Sequence, residues 1–134
     1  MPLDQTFYAT WSPRAQGLLR LVVCYLFLQH VTAKFLGFPM SMGEHLPPLI
    51  VTAGVIELIG GTLLLIGLWA RAAAFLLSGE MAFAYFLGHA PHGSVLCPMV
   101  NHGEPAVLYS FIFLFLAAAG PGAWSVDAMR GAKV

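Results

Sequence analysis

Four apolar runs, at roughly residues 14–36, 47–68, 71–89 and 104–120, constrain this chain more than any other feature. Each is close to the ~20 residues that an α-helix needs to cross ~30 Å of hydrocarbon. A bilayer leaves exposed backbone N–H and C=O groups without partners, so runs of this length predict helices, whereas a barrel would need short alternating strands. The expected fold is all-α: an integral membrane four-helix bundle, one domain over residues 1–134.

Composition agrees with that reading. Of 134 residues, 59% are hydrophobic and 9% charged, far from the balance of a soluble domain of this size. Six basic and six acidic residues cancel, which argues against nucleic acid and against a polybasic lipid anchor. Cys24 and Cys97 form no CxxC, so neither a dithiol redox motif nor a zinc knuckle is signalled. Arg14 and Arg20 precede an apolar run reaching Val31-Thr32-Ala33, a pattern that a signal peptide would share. The run continues oily beyond that point and is read as a retained first span.

Punctuation between the runs fixes their order in space. "FPMSMGEHLPP" places Pro39, Gly43, Pro47 and Pro48 between the first two, and proline is tolerated at a helix start because that N–H has no partner anyway. "GLWAR", residues 67–71, reads as a hairpin with Gly67 as C-cap, which makes runs two and three antiparallel neighbours. Trp11, Trp69 and Trp124 fall at run ends, where amphipathic rings favour the headgroup region. Arg14, Arg20, Arg71, Arg130 and Lys133 fall on one side and Lys34 on the other, so the positive-inside rule puts both termini in the cytoplasm. Loops 37–46 and 90–103 then face outward.

Ionisable groups inside a span are costly against lipid and turn toward a cavity or a partner. His30 and Lys34 share a helix face at i, i+4 near the outer end of span one; His89 ends span three and Glu104 begins span four. Glu57 and Glu80 lie near mid-span. Gly54, Glu57 and Gly61 share a narrow sector, and small residues let helices approach, so Glu57 is expected to point into the bundle. These groups are expected to line a polar chamber opening outward, in which Lys34 meets a carboxylate: Glu104, Glu57 or Glu80. Two readings stand, structural ion pairs that hold helices together and a functional chamber. Tyr85, one turn before His89 and on its side, is the candidate hydroxyl. Arg20 is expected to snorkel to the headgroups, and Phe111, Phe113 and Phe115 to face lipid or pack.

No metal site is expected. The Glu-x-x-His spacing of di-iron bundles is missing, and Glu80 and His89 are nine residues apart, about 180° around an ideal helix. His92, Cys97, Met99 and His102 carry soft donors on an irregular loop, which leaves a metal there open.

The stretches "LLRLVVCYLFLQHVTAKFLGFP", "GVIELIGGTLLLIGLWARAAAFLLSGEMAFAYFLGHAPHG" and "NHGEPAVLYSFIFLFLAAAGPGAWSVD", in this order, resemble the DoxX family of small bacterial membrane proteins. The resemblance points to Gln29, His30, Lys34, Glu57, Arg71, Glu80, His89, Asn101 and Glu104; Cys97 and His102 depart from it. It implies membrane redox work beside quinone in the bacterial cytoplasmic (inner) membrane, since the family name derives from a subunit of a quinol oxidase and thiosulfate:quinone oxidoreductase system. Relatives are linked to thiol and oxidative-stress complexes.

Two functions compete. In the first, the chain is a subunit of a quinone-linked or thiol/sulfur-linked redox system, with quinone as cofactor. His30, Lys34, Glu57, Glu80, His89 and Glu104 are then the catalytic set, and Gln29, Tyr85 and Asn101 contact the cofactor. The chain has no evident haem, flavin or dithiol motif, so electrons would come from a partner redox enzyme or a bound substrate. In the second, it is a non-catalytic anchor or assembly subunit of a larger membrane complex. A carrier is disfavoured because broken helices and an inverted repeat are missing, although a homo-oligomer would supply symmetry.

Overall fold

Proline and glycine set the helix ends in the computed structural model, which describes residues 4–131; Lys133, counted above among the inner-side cations, lies outside the described residues. The elements are α1 (Gln5–Leu36), α2 (Pro48–Ile66), α3 (Ala70–Ala84), α4 (Glu104–Ala119) and a short α5 (Val126–Met129). A π-helical turn (Tyr85–His89) and a 3₁₀ turn (Ala90–His92) prolong α3. Pro48 and Pro105 stand in first turns, and Gly37 and Gly67 close α1 and α2 in the left-handed conformation that glycine adopts without penalty. No strand forms among the described residues.

The second and fourth runs match α2 and α4 to within two residues, the third is helical over its expected length with a change of type near its end, and the first begins earlier than expected. α1 begins at Gln5 rather than near 14 and has 32 residues, about 48 Å. Its first turns are polar and aromatic, so hydropathy alone passed over them; Pro13 sits inside the helix without ending it. The third run is α-helical only to Ala84, after which the turn widens. Three helical stretches, Gln5–Leu36, Pro48–Ile66 and Ala70–His92, are long and apolar enough to cross a membrane. α4 is equally oily but has 16 residues, about 24 Å.

Residue size is distributed as in a membrane bundle. Gly54, Gly60, Gly61, Ala70, Ala73 and Ala74 are buried between helices, whereas Leu76, Phe75, Phe83, Phe86, Leu108 and Phe111 face outward. Small interior residues let helix backbones approach, and an apolar exterior of this extent suits lipid rather than water. Phe113 is fully buried and Phe111 and Phe115 are exposed, so the phenylalanines of α4 divide between packing and the outer face. α3 and α4 are further joined by a reciprocal clasp: Ser78 Oγ donates to the Ser110 carbonyl at 2.8 Å and Ser110 Oγ to the Ser78 carbonyl at 2.9 Å.

One expectation is overturned. Arg20 does not snorkel; it is fully buried. Its Nε donates to Pro121 O at 2.9 Å, Nη1 to Leu64 O at 3.0 Å and to Leu65 O, and Nη2 to Trp124 O at 2.8 Å and Ala123 O at 3.2 Å. A guanidinium has five N–H donors, and five carbonyls meet them. Leu64 and Leu65 belong to the last turn of α2, whose carbonyls carry the negative end of the helix dipole. The charge is thus drawn inward by an acceptor set that exposed headgroups would have to replace. Asp127 completes this end by accepting from Trp69 N at 3.0 Å and Ala70 N at 2.9 Å, where it caps α3. Arg71 reaches the carbonyls of Ala117 at 3.1 Å and of Ala118, at the end of α4.

Removing this hub has a defined expected outcome. Arg20→Met removes the guanidinium donors from five carbonyls and is expected to destabilise the protein by roughly 3–5 kcal/mol. Arg20→Lys, with three donors, is expected to lose about 1–3 kcal/mol for the carbonyls it strands. Thermal unfolding in mild detergent measures both; native stability in the lysine variant would show that the forked geometry is dispensable.

Candidate functional site

The i, i+4 spacing of His30 and Lys34 on α1 and the small-residue face around Glu57 on α2 bring three of the expected groups to one place. Lys34 Nζ and a Glu57 carboxylate oxygen form a direct ion pair, with side chains 9% and 4% exposed. Glu57 is therefore the partner of Lys34, in place of Glu104, which sequence spacing left equally open. Glu80, from α3, lies beside both Glu57 and Lys34. Its Oε2 is buried and, among the described residues, has no hydrogen-bond partner. The ammonium thus pairs with Glu57 alone, and the carboxyl of Glu80, from a third helix, stands beside that pair.

His30 stands at the edge of this cluster, near Glu57 and Lys34. Its residue is exposed, at the seam where α1 and α4 touch only lightly. Its ring meets Tyr109 of α4 edge-on, with centroids 5.9 Å apart at 90°, and lies 6.4 Å from the ring of Phe27. Phe27 and Phe113 are fully buried beneath, and Tyr109 stacks on Phe113 at 5.8 Å. The result is an imidazole on an aromatic floor, open to the side, one helical turn from a buried ion pair.

Three other expected residues form a separate cluster at the far end of α3. Tyr85 donates to Val95 O at 2.7 Å, and Asn101 Nδ2 reaches Tyr85 Oη at 3.2 Å and Ser94 O at 3.1 Å. Gly103 N donates to Asn101 Oδ1 at 2.9 Å, while His89 Nδ1 lies 3.2 Å from the Asn101 carbonyl. Tyr85 and His89 do share a side, as their spacing predicts, and the wider π turn aims both at the loop that precedes α4. Asn101 is 4% exposed and spans the loop with both ends of its amide. These side chains hold residues 93–103 against the bundle.

Glu104 is exposed in the first turn of α4 and lines an open groove of about 490 Å³ with Cys97, Met99 and Val107. Gln29 is half-buried on α1, next to His30 in sequence. His92, Cys97, Met99 and His102 are all exposed along the loop, and among the described residues no three His, Cys, Asp or Glu side chains come together as metal ligands. The single chamber expected from the sequence is thus divided into an intramembrane charge cluster, a loop latch and an outer groove. Tyr109 escaped the sequence reading; its signal was a hydroxyl-bearing ring inside the otherwise oily "VLYSFIFLF".

If the Lys34–Glu57 pair holds α1 to α2, Lys34→Met strands Glu57 and is expected to cost roughly 3–5 kcal/mol. The double variant with Glu57→Gln is expected to recover part of that loss. Thermal unfolding of the single and double variants supplies the cycle; additive losses would mean that the two side chains do not couple.

The family model for DoxX matches residues 15–90, more than half of the chain and the part that carries Gln29, His30, Lys34, Glu57, Glu80, Tyr85 and His89. A relative, an uncharacterized protein of Haemophilus influenzae, is 48% identical over 122 residues, covering 87% of this chain and 91% of that protein. No solved structure matches. With three helical stretches able to cross a bilayer, the chain is a multi-pass integral membrane protein and belongs to the DoxX family.

Proposed function

We propose that the chain crosses the bacterial inner membrane four times with both termini in the cytoplasm, and serves there as a subunit of a quinone-linked redox system. The short α4 counts as the fourth span because its ends are held level with those of α3. Arg71, at the start of α3, binds the last carbonyls of α4, and Tyr85 and His89, at the other end, bind the loop that leads into it. Burial also sharpens the charge asymmetry. Arg14, Arg71 and Arg130 are exposed at one end, whereas Lys34 is withdrawn into its ion pair, so among the described residues the opposite end offers lipid no lysine or arginine.

The observation that carries the redox reading is His30 at the α1–α4 seam, beside a buried cluster of Lys34, Glu57 and Glu80. A quinone head needs a flat apolar surface and a donor for a carbonyl oxygen; Tyr109, backed by buried Phe27 and Phe113, offers the first and His30 the second. An isoprenoid tail would remain among the exposed leucine and phenylalanine side chains. When bound, quinone supplies an acceptor of two electrons and two protons. The residues of the chain orient the ring and hold protons near it, His30 at an imidazole nitrogen and Glu80 at its carboxyl. Electrons come from a partner enzyme. The hydroxyl of Tyr85 and the amide of Asn101 support this arrangement from a distance by fixing the outer loop.

Two measurements test this. Membrane-impermeant maleimide applied to intact spheroplasts is expected to label exposed Cys97 and to spare buried Cys24; labelling only from the cytoplasmic side overturns the orientation. Mass spectrometry of protein purified in mild detergent is expected to find quinone. His30→Ala is expected to lower its retention about five- to ten-fold, the worth of one hydrogen bond of ~1 kcal/mol. Protein that carries no quinone, with His30→Ala altering abundance alone, would favour the anchoring role.

A further inference from the structure

We propose that Glu80 is a proton-binding site, a carboxyl that carries and exchanges a single proton beside the fixed Lys34–Glu57 ion pair. The proposal does not depend on quinone binding. Two acids and one ammonium meet where α1, α2 and α3 pack, and the two acids are not equivalent. Glu57 is 3% exposed and holds Lys34 directly. Glu80 is half-buried, with Oε2 enclosed and without a donor among the described residues. An ionised oxygen there would be both desolvated and unpaired, the combination that protein interiors avoid most. A proton on Glu80 removes that charge and leaves the cluster neutral: Lys34 positive, Glu57 negative, Glu80 uncharged.

A Cβ placed on Gly54 would lie 2.7 Å from the Phe35 ring and 3.3 Å from Lys34 Cδ, so side chains already fill the approach along α2. The titratable groups facing Glu80 are Glu57 from α2 and Lys34 from α1; His30 of α1 is near both of these, and α4 contributes Tyr109 against His30. His30 is the exposed group of the cluster. In the exchange the Glu80 O–H bond breaks, the proton passes to a water molecule, and the electron pair stays on the carboxylate. Lys34 then stands between two anions and can divide its hydrogen bonds between them.

Infrared spectroscopy of the full chain in lipid vesicles, titrated with acid and base, tests this directly. Native protein is expected to show one carbonyl band of an undissociated carboxylic acid that persists after exposed carboxylates have ionised. Glu80→Gln is expected to abolish it, and Glu44→Gln, on an exposed loop, to leave it unchanged. Lys34→Met is expected to add a second band as Glu57 takes a proton. Because glutamine mimics a protonated acid, Glu80→Gln is expected to lower Tm less than Glu57→Gln, which strands the ammonium. Should Glu80→Gln not fold, Glu80→Asp replaces it, with the band shifted but retained. Absence of the band in native protein, its survival in Glu80→Gln, or its loss only in Glu57→Gln overturns the proposal. Quinone retention is read separately, so either idea can fail alone.

Discussion

A buried guanidinium holds one end of this membrane protein together. Arg20 extends from α1 to the terminal carbonyls of α2 and to the segment linking α4 to α5, and its five donors are matched by five backbone acceptors. A side chain with a planar fork of donors can serve the end of α2 and the segment after α4 at once, which ties three parts of the chain together at this helix end. Close approach makes it possible. A Cβ on Gly17 would lie 2.5 Å from the Ala123 carbonyl oxygen, and one on Gly67 would lie 2.3 Å from Ser125 Cβ. With one end fixed, helix registers are set along the whole bundle.

Register in turn decides which polar residues meet. α1 and α2 run antiparallel from the Arg20 hub, and this brings Lys34 to Glu57; α3, joined to α2 by the tight Gly67 turn, presents Glu80 to the same place. The ion pair offsets charge within the bundle, while Glu80 keeps a buried oxygen without a partner among the described residues and His30 stays exposed. Polar groups that the structure already satisfies, such as Tyr85 and Asn101, order the outer loop, and those left over mark where chemistry can occur.

Much of this was legible in the residues themselves. Apolar runs bounded by proline and glycine gave helix positions to within a few residues at most ends, and the 54, 57, 61 spacing placed Glu57 inside. Arg20 was misread although a signal existed: Gly17, Arg20, Cys24 and Phe27 follow one another at helical spacing on the buried stripe of α1. Its positive charge near a run end suggested the headgroups because sequence spacing carries no information about carbonyls on another helix. The start of α1 was missed for a related reason, since residues 5–13 are helical without being oily.

The sequence by itself determined that the chain is helical and lives in lipid, because length and hydropathy act locally and a bilayer permits few other solutions. It also determined which ionisable residues are buried candidates. Only tertiary structure decided their partners: that Lys34 takes Glu57 rather than Glu104, that Glu80 is left with an unpaired oxygen, and that His89 and Tyr85 turn to the loop. Pairing across helices depends on rotation and register to within a fraction of a turn. The π turn and the Arg20 hub set those quantities through contacts between residues far apart in the chain.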